Sequence, residues 1–118
     1  MKNGAFHKRL GHAWAGIRLV WRREKTFRTH GRFALAALAL AAVLRAAPIW
    51  WALIVLCIFL VVALEAMNAA LEYLLDRLHP ELHPEIGFAK DAAAGAVLLA
   101  SIGSAAVGAL MLLDWWRG

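Results

Sequence analysis

This chain of 118 residues has a single cysteine, three prolines and little charge: 18% of it is Asp, Glu, Lys or Arg, while 63% is hydrophobic. A soluble domain is closer to a quarter charged and half apolar. The lone Cys57 lies inside the apolar run WWALIVLCIFLVVAL, Trp50 to Leu64. It excludes an internal disulfide and reads as a small buried hydrophobe. There is no GxxxxGK[ST] loop, no nucleophilic Ser or Cys constellation and no Gly-rich strand-to-helix turn. Any nucleotide chemistry here therefore needs a different scaffold. No internal repeat or low-complexity linker divides the chain, and its length allows one small domain. So short a chain buries little on its own, which points to a membrane or an oligomer as a source of stability. The first apolar run begins late and no cleavage pattern follows it, so no signal peptide is expected.

Acidic residues are scarcest at the start. Residues 1–32 hold nine basic side chains against Glu24 alone, whereas the remainder holds four basic and seven acidic ones. A basic head on an apolar chain fits a cytoplasmic, membrane-proximal segment better than a nucleic-acid surface. Within it Leu10, Trp14, Ile17 and Trp21 fall at helical spacing, forming one apolar stripe among basic residues. That pattern predicts an amphipathic surface helix over 4–30, lying at the membrane interface.

Three apolar segments follow. The run from Phe33 to Leu44, extended through Ala46, Ala47 and Ile49 with Arg45 snorkelling outward, predicts a first span over 31–49. Trp50 and Trp51 open a second helix with no breaker before Pro80, so a span with a cytoplasmic extension is predicted over 50–77. A cytoplasmic loop over 78–90 and a third span over 91–113 complete the chain. The fold class is thus an all-α membrane protein, one domain over 1–118, with its amino terminus in the cytoplasm. In the third span Ala96, Ala100, Ser104 and Gly108 recur every four residues, a small-residue ridge that lets helices approach closely.

Directly after the second apolar run comes EAMNAALEYLLDR, in which Glu65, Asn68, Glu72 and Asp76 are spaced three, four and four apart. They share one helical face, otherwise surrounded by alanine, leucine and methionine. Charge at a bilayer edge is expensive and usually functional. The structural alternative is a polar seam between helices, partnered by arginines of the head. Carboxylates in such a stripe suit a hard cation such as Mg²⁺, which brings phosphates with it. Glu65, the deepest, suits a general base. Lys90 and Asp91, at the start of the third span, are candidate phosphate and metal neighbours. His79, Glu81 and His83 in HPELHPE make a poor zinc site, because prolines break the helix that would align them. A basic membrane scaffold would explain the head but not the stripe. An ion-conducting oligomer lined by Glu65 and Glu72 would explain the stripe but leave Glu24 and the Lys90–Asp91 pair idle.

The patterns ExxNxxxExxxDR and HxxxGxAKD, carried by Glu65, Asn68, Glu72, Asp76, His83, Gly87, Lys90 and Asp91, resemble the small integral-membrane lipid kinases of bacteria, the diacylglycerol kinase and undecaprenol kinase family. The head AWAGIRLVWRREKTFR resembles theirs as well, through Trp14, Gly16, Arg18, Trp21, Glu24, Phe27 and Arg28. The resemblance runs from about Phe6 to Leu113 and implies a homotrimer with active sites shared between neighbours, in the bacterial inner membrane. It implies transfer of the ATP γ-phosphate to a lipid hydroxyl with Mg²⁺. By position, Glu65 would be the general base, and Glu24 and Glu72 would ligate the metal and so hold the nucleotide. Lys90 would engage the phosphates, while Asp91, His83 and Gly87 would line the nucleotide region. Asn68, Asp76, Trp14 and Arg18 would support the site. Lys8 and Arg9 stand slightly out of register with an arginine that contacts nucleotide in the family. Ala94, within AAAGAVL, replaces a serine of the diacylglycerol branch, while Trp14, Arg18 and Trp21 match that branch. Diacylglycerol is the expected lipid, with undecaprenol as the alternative.

Overall fold

The computed structural model describes residues 3–118, which form four helices: α1 (Asn3–Arg23), α2 (Lys25–Val43), α3 (Pro48–Leu78) and α4 (Pro84–Arg117). The connections, 44–47 and 79–83, are short, so α2, α3 and α4 pack as antiparallel neighbours. α4 makes its most extensive contact with α3, α2 packs on α3 less extensively, and α1 touches the bundle lightly.

The surface helix expected over 4–30 is interrupted. Glu24 is extended (φ −106°, ψ 107°) and separates α1 from α2. No glycine or proline marks this corner; side chains hold it. The Arg28 guanidinium donates to the carbonyls of Trp21 and Arg22 at 2.7 and 3.0 Å, satisfying acceptors that the end of α1 leaves open. Trp21 meets Phe27 edge to face with ring centres 6.2 Å apart. Its ring also covers Gly31, where a Cβ would stand 2.9 Å from Cζ3. The predicted apolar stripe on α1 is exposed throughout, Trp14 by 65%. Apart from the Trp21 ring it stays open among the described residues, the kind of surface that a helix resting on a bilayer would present.

α2 also ends earlier than the expected first span. Leu44 caps it, and the N–H groups of Arg45 and Ala46 return to the carbonyls of Ala42 and Ala41 at 3.2 and 3.0 Å. These two bonds make a Schellman motif, in which Arg45 takes the left-handed position (φ 52°) that glycine normally fills. Ala46, Ala47 and Ile49 therefore do not prolong α2; Pro48 opens α3 from its first turn instead.

The loop expected over 78–90 shrinks to 79–83. Pro84 sits at the first helical position of α4, and the His83 Nδ1 caps the helix by accepting from the Glu85 N–H at 3.1 Å. A proline there starts a helix, because its missing N–H would have had no helical partner.

Two helices, α3 and α4, are long and apolar enough to cross a membrane. α2 carries Lys25, Arg28 and Arg32 in its first turns, so its uninterrupted apolar stretch begins only at Phe33. Buried side chains are few, and large apolar ones such as Phe33, Leu35, Phe59, Leu99 and Trp116 are exposed. One small core joins Val20, Phe27 and Ala69; another joins Ala41, Ile54 and Met111.

The small-residue ridge on α4 is half-buried within the chain rather than closed against another backbone. Ser104 donates to the Ala100 carbonyl at 2.8 Å, and a Cβ at Gly108 would meet nothing within 4 Å. Ser104 and Gly108 instead line an apolar cleft of about 370 Å³ between α2, α3 and α4. A leucine at Gly108 would have this space to enter.

Candidate active site

The first core positions the site. Val20 lies in the last turn of α1 and Phe27 in the first turn of α2, and both pack on Ala69 of α3 beside Val62 and Ala66. Glu24 and His30, which flank Phe27, are thereby held over the α3 face that carries the acid stripe.

Burial falls along that stripe. Glu65 is 4% exposed and is the one buried charged side chain among the described residues. Asn68 and Glu72 are half-buried, and Asp76 is exposed. Each has a partner of a different kind. His30 brings Nε2 to 3.2 Å from Glu65 Oε2, joining α2 to α3. Asn68 Nδ2 donates to Glu72 Oε1 at 3.1 Å, while Asn68 Oδ1 is buried without a partner. Lys90 of α4 pairs with Asp76 Oδ1, closing the α3–α4 hairpin beside its connection. Among the described residues no arginine of the head pairs with the stripe, and Arg28 is committed to backbone carbonyls.

Glu24 reaches the stripe from the α1–α2 corner. The Tyr73 hydroxyl donates to Glu24 Oε2 at 2.7 Å. Since Tyr73 follows Glu72 in α3, this bond keeps the head's only acid close to the stripe. Each of the two glutamates has one oxygen engaged by a neighbour and the other without a hydrogen bond among the described residues.

Other predicted residues stay apart. Asp91 is exposed and has no polar partner among the described residues, and Gly87 is exposed with open space around it. His83 is engaged as the α4 cap. Trp14, Arg18, Lys8 and Arg9 are exposed on α1 without a hydrogen bond or ion pair to the site, and Ala94 is exposed on α4. No three His, Cys, Asp or Glu side chains stand together as a metal cluster among the described residues.

Sequence reasoning missed His30 and Tyr73. Each meets its partner from a distant part of the chain, and no local spacing marks such a pairing. The one hint was that Tyr73 lies inside the stripe, next to Glu72.

The profile of prokaryotic diacylglycerol kinase matches residues 11–112. The chain is 38% identical over 103 residues to the diacylglycerol kinase of Synechocystis sp., covering 86% of this chain and 59% of that relative. It therefore spans less than two thirds of the cyanobacterial protein. It is 35% identical over 95 residues to the diacylglycerol kinase of Escherichia coli K12, covering 80% of this chain and 78% of the relative. With the undecaprenol kinase of Bacillus subtilis the identity is 36% over 108 residues, covering 92% and 88% respectively. A match along nearly the whole chain, through both the head and the acid stripe, assigns it: the chain belongs to the prokaryotic diacylglycerol kinase family.

Proposed function

We propose that this chain phosphorylates a membrane lipid alcohol with ATP, the reading being diacylglycerol to phosphatidic acid. The observation that carries it is the setting of Glu65: a buried carboxylate beside His30, which itself lines the apolar cleft. Hydrocarbon in that cleft would bring a lipid hydroxyl near a carboxylate shielded from water.

In this reading Glu65 takes the hydroxyl proton, and the lipid oxygen bonds to the γ-phosphorus as the bond to the bridging oxygen breaks, releasing ADP. Lys90 has three donors, so its contact with Asp76 leaves others for the phosphates. The side chains of Glu24, Asn68 and Glu72 offer oxygen donors of the kind Mg²⁺ takes. The unpaired oxygens of Glu24 and Glu72 and the unpartnered Asn68 Oδ1 are hard oxygen ligands, and Mg²⁺ takes its remaining ligands from phosphate and water. When bound, the ion would neutralise charge on the β- and γ-phosphates. Asp91 and Gly87 open onto solvent at the same end and would admit the nucleotide.

The assembly reading is a homotrimer with shared sites in the bacterial inner membrane. α2, α3 and α4 would cross, and the basic head would lie on the cytoplasmic face. The exposed apolar surface of the bundle and the short connections support it. Undecaprenol remains the second lipid, favoured by AAAGAVL around Ala94 and by the match to the Bacillus relative over 92% of this chain.

ATP turnover in detergent, with lipid alcohols added one at a time, tests the proposal. Lipid-dependent ADP release supports a kinase, and the lipid with the higher kcat/KM names the branch. Ion flux without lipid-dependent turnover would support a conducting oligomer, and lipid binding with neither would support a scaffold.

A further inference from the structure

Glu65 presents a problem that the kinase reading leaves open. A buried carboxylate is costly unless partnered, and a general base must hold one oxygen toward its proton. The polar group that meets it comes from another helix: His30 Nε2, 3.2 Å from Oε2. His30 stands one turn after Phe27, which is 4% exposed and seated on Ala69 of α3, so its backbone is anchored directly against the helix that carries Glu65. Gly31, next in sequence, lies beneath the Trp21 ring, which limits movement of this turn. Among the described residues that line the cleft, His30 and Cys57 are the titratable side chains and Ser101 and Ser104 the other polar ones; the rest is apolar, with no lysine, arginine or acid to compete for His30.

We propose that His30 is a positioning residue for Glu65, donating its Nε2 proton to Oε2 so that Oε1 faces the lipid hydroxyl. The second oxygen is then the one that accepts the substrate proton. His30 touches neither phosphate nor lipid in the reacting step; it acts through the carboxylate. Catalytic hydrogen bonds are often loose before substrate arrives, and at 3.2 Å the two groups stand within reach of one. The inference rests on Glu65 being the base.

The test compares His30→Gln, which keeps an N–H donor at similar reach, with His30→Met, which keeps the bulk and removes the donor. kcat and both KM values are measured on detergent-purified protein, with melting temperature as a check on folding. The methionine variant is expected to lose about tenfold or more in kcat, on the scale of a misplaced catalytic group, with the lipid and ATP KM values within about twofold. The glutamine variant is expected to stay within about threefold of the native kcat. A native rate with methionine would overturn the proposal. So would a glutamine variant as slow as the methionine one, because packing or the ring would then be the requirement. Should methionine prevent folding, His30→Asn, polar but too short to reach, takes its place with the same expected loss. Glu65→Gln in the same assay separates the two failures. If it turns over normally, the base reading is wrong whatever His30 does; if it is inactive while His30→Met is fully active, only the role of His30 is wrong.

Discussion

The two ends of the α3–α4 hairpin are each closed by one polar contact between side chains, yet they are built for different tasks. At the connection, Lys90 pairs with Asp76, and both are substantially exposed. At the far end Trp50 Nε1 donates to Asp114 Oδ2 at 3.0 Å, among Trp51, Trp115 and Trp116. The first end carries Glu24, Glu72, Lys90 and Asp91 and opens to water. The second has one acid, one basic residue in the last turn of α4 and a group of tryptophans suited to a membrane interface. A contact between exposed charges adds little to stability, so the pair at the first end suits chemistry better than anchoring. A tryptophan N–H on an acid, in an aromatic belt, argues for anchoring.

The largest effect should come from between the two ends. Asp76 lies eleven residues beyond Glu65 on α3, about 16 Å along the helix. Glu65→Gln keeps shape and removes the proposed base, so turnover should fall by about a hundredfold or more with an unchanged melting temperature. Near-native turnover would take Glu65 out of that role.

At the water-facing end, Glu24→Ala and Glu72→Ala should each cost about tenfold or more at low Mg²⁺, and excess Mg²⁺ should restore part of the rate. Tyr73→Phe should shift the Mg²⁺ titration in the same direction but less, since it frees Glu24 without removing it. A titration that none of the three variants moves would reassign these carboxylates to packing. The two closing contacts should then part company. Lys90→Met should lower turnover by about tenfold or more and leave melting nearly unchanged. Asp114→Asn should do the reverse, lowering stability by up to about 1 kcal/mol with kcat retained. If both variants lowered stability alone, the contrast between the ends would be lost.

The sequence revealed the parts that depend on local periodicity and hid those that depend on packing between helices. Apolar runs and the breaker Pro80 outlined the long helices, and the spacing of Glu65, Asn68, Glu72 and Asp76 put them on one face. Two prolines fall inside the wrong expected segments, Pro48 in the first span and Pro84 in the loop, although they start α3 and α4. The break at Glu24 carried no glycine or proline, since Arg28 and Trp21 make it through contacts back along the chain. The pairings of His30 with Glu65 and Tyr73 with Glu24 join residues 35 and 49 apart. Nothing in local spacing specifies them. The ridge from Ala96 to Gly108 was visible, but what faces it depends on how α2 and α3 pack, and there they leave a cleft.

The smallest expected effect concerns the far end, where α2 turns into α3. Arg45 adopts φ 52°, a region that costs a non-glycine residue about 1–2 kcal/mol. Its side chain is exposed and makes no hydrogen bond among the described residues, so the motif uses only its backbone. Arg45→Gly removes the steric cost but gives the unfolded chain more freedom, worth about 0.5–1 kcal/mol in the opposite direction. The balance is a gain of roughly 0.5–1 kcal/mol, read as a higher melting temperature in detergent with kcat unchanged. Arg45→Ala is the control, because it removes the charge and keeps the strained conformation. Glycine should exceed alanine by nearly the full steric cost less the entropy term. If the two variants melt together, the left-handed turn is not what limits this end, and the loss of charge at the interface is the effect being measured.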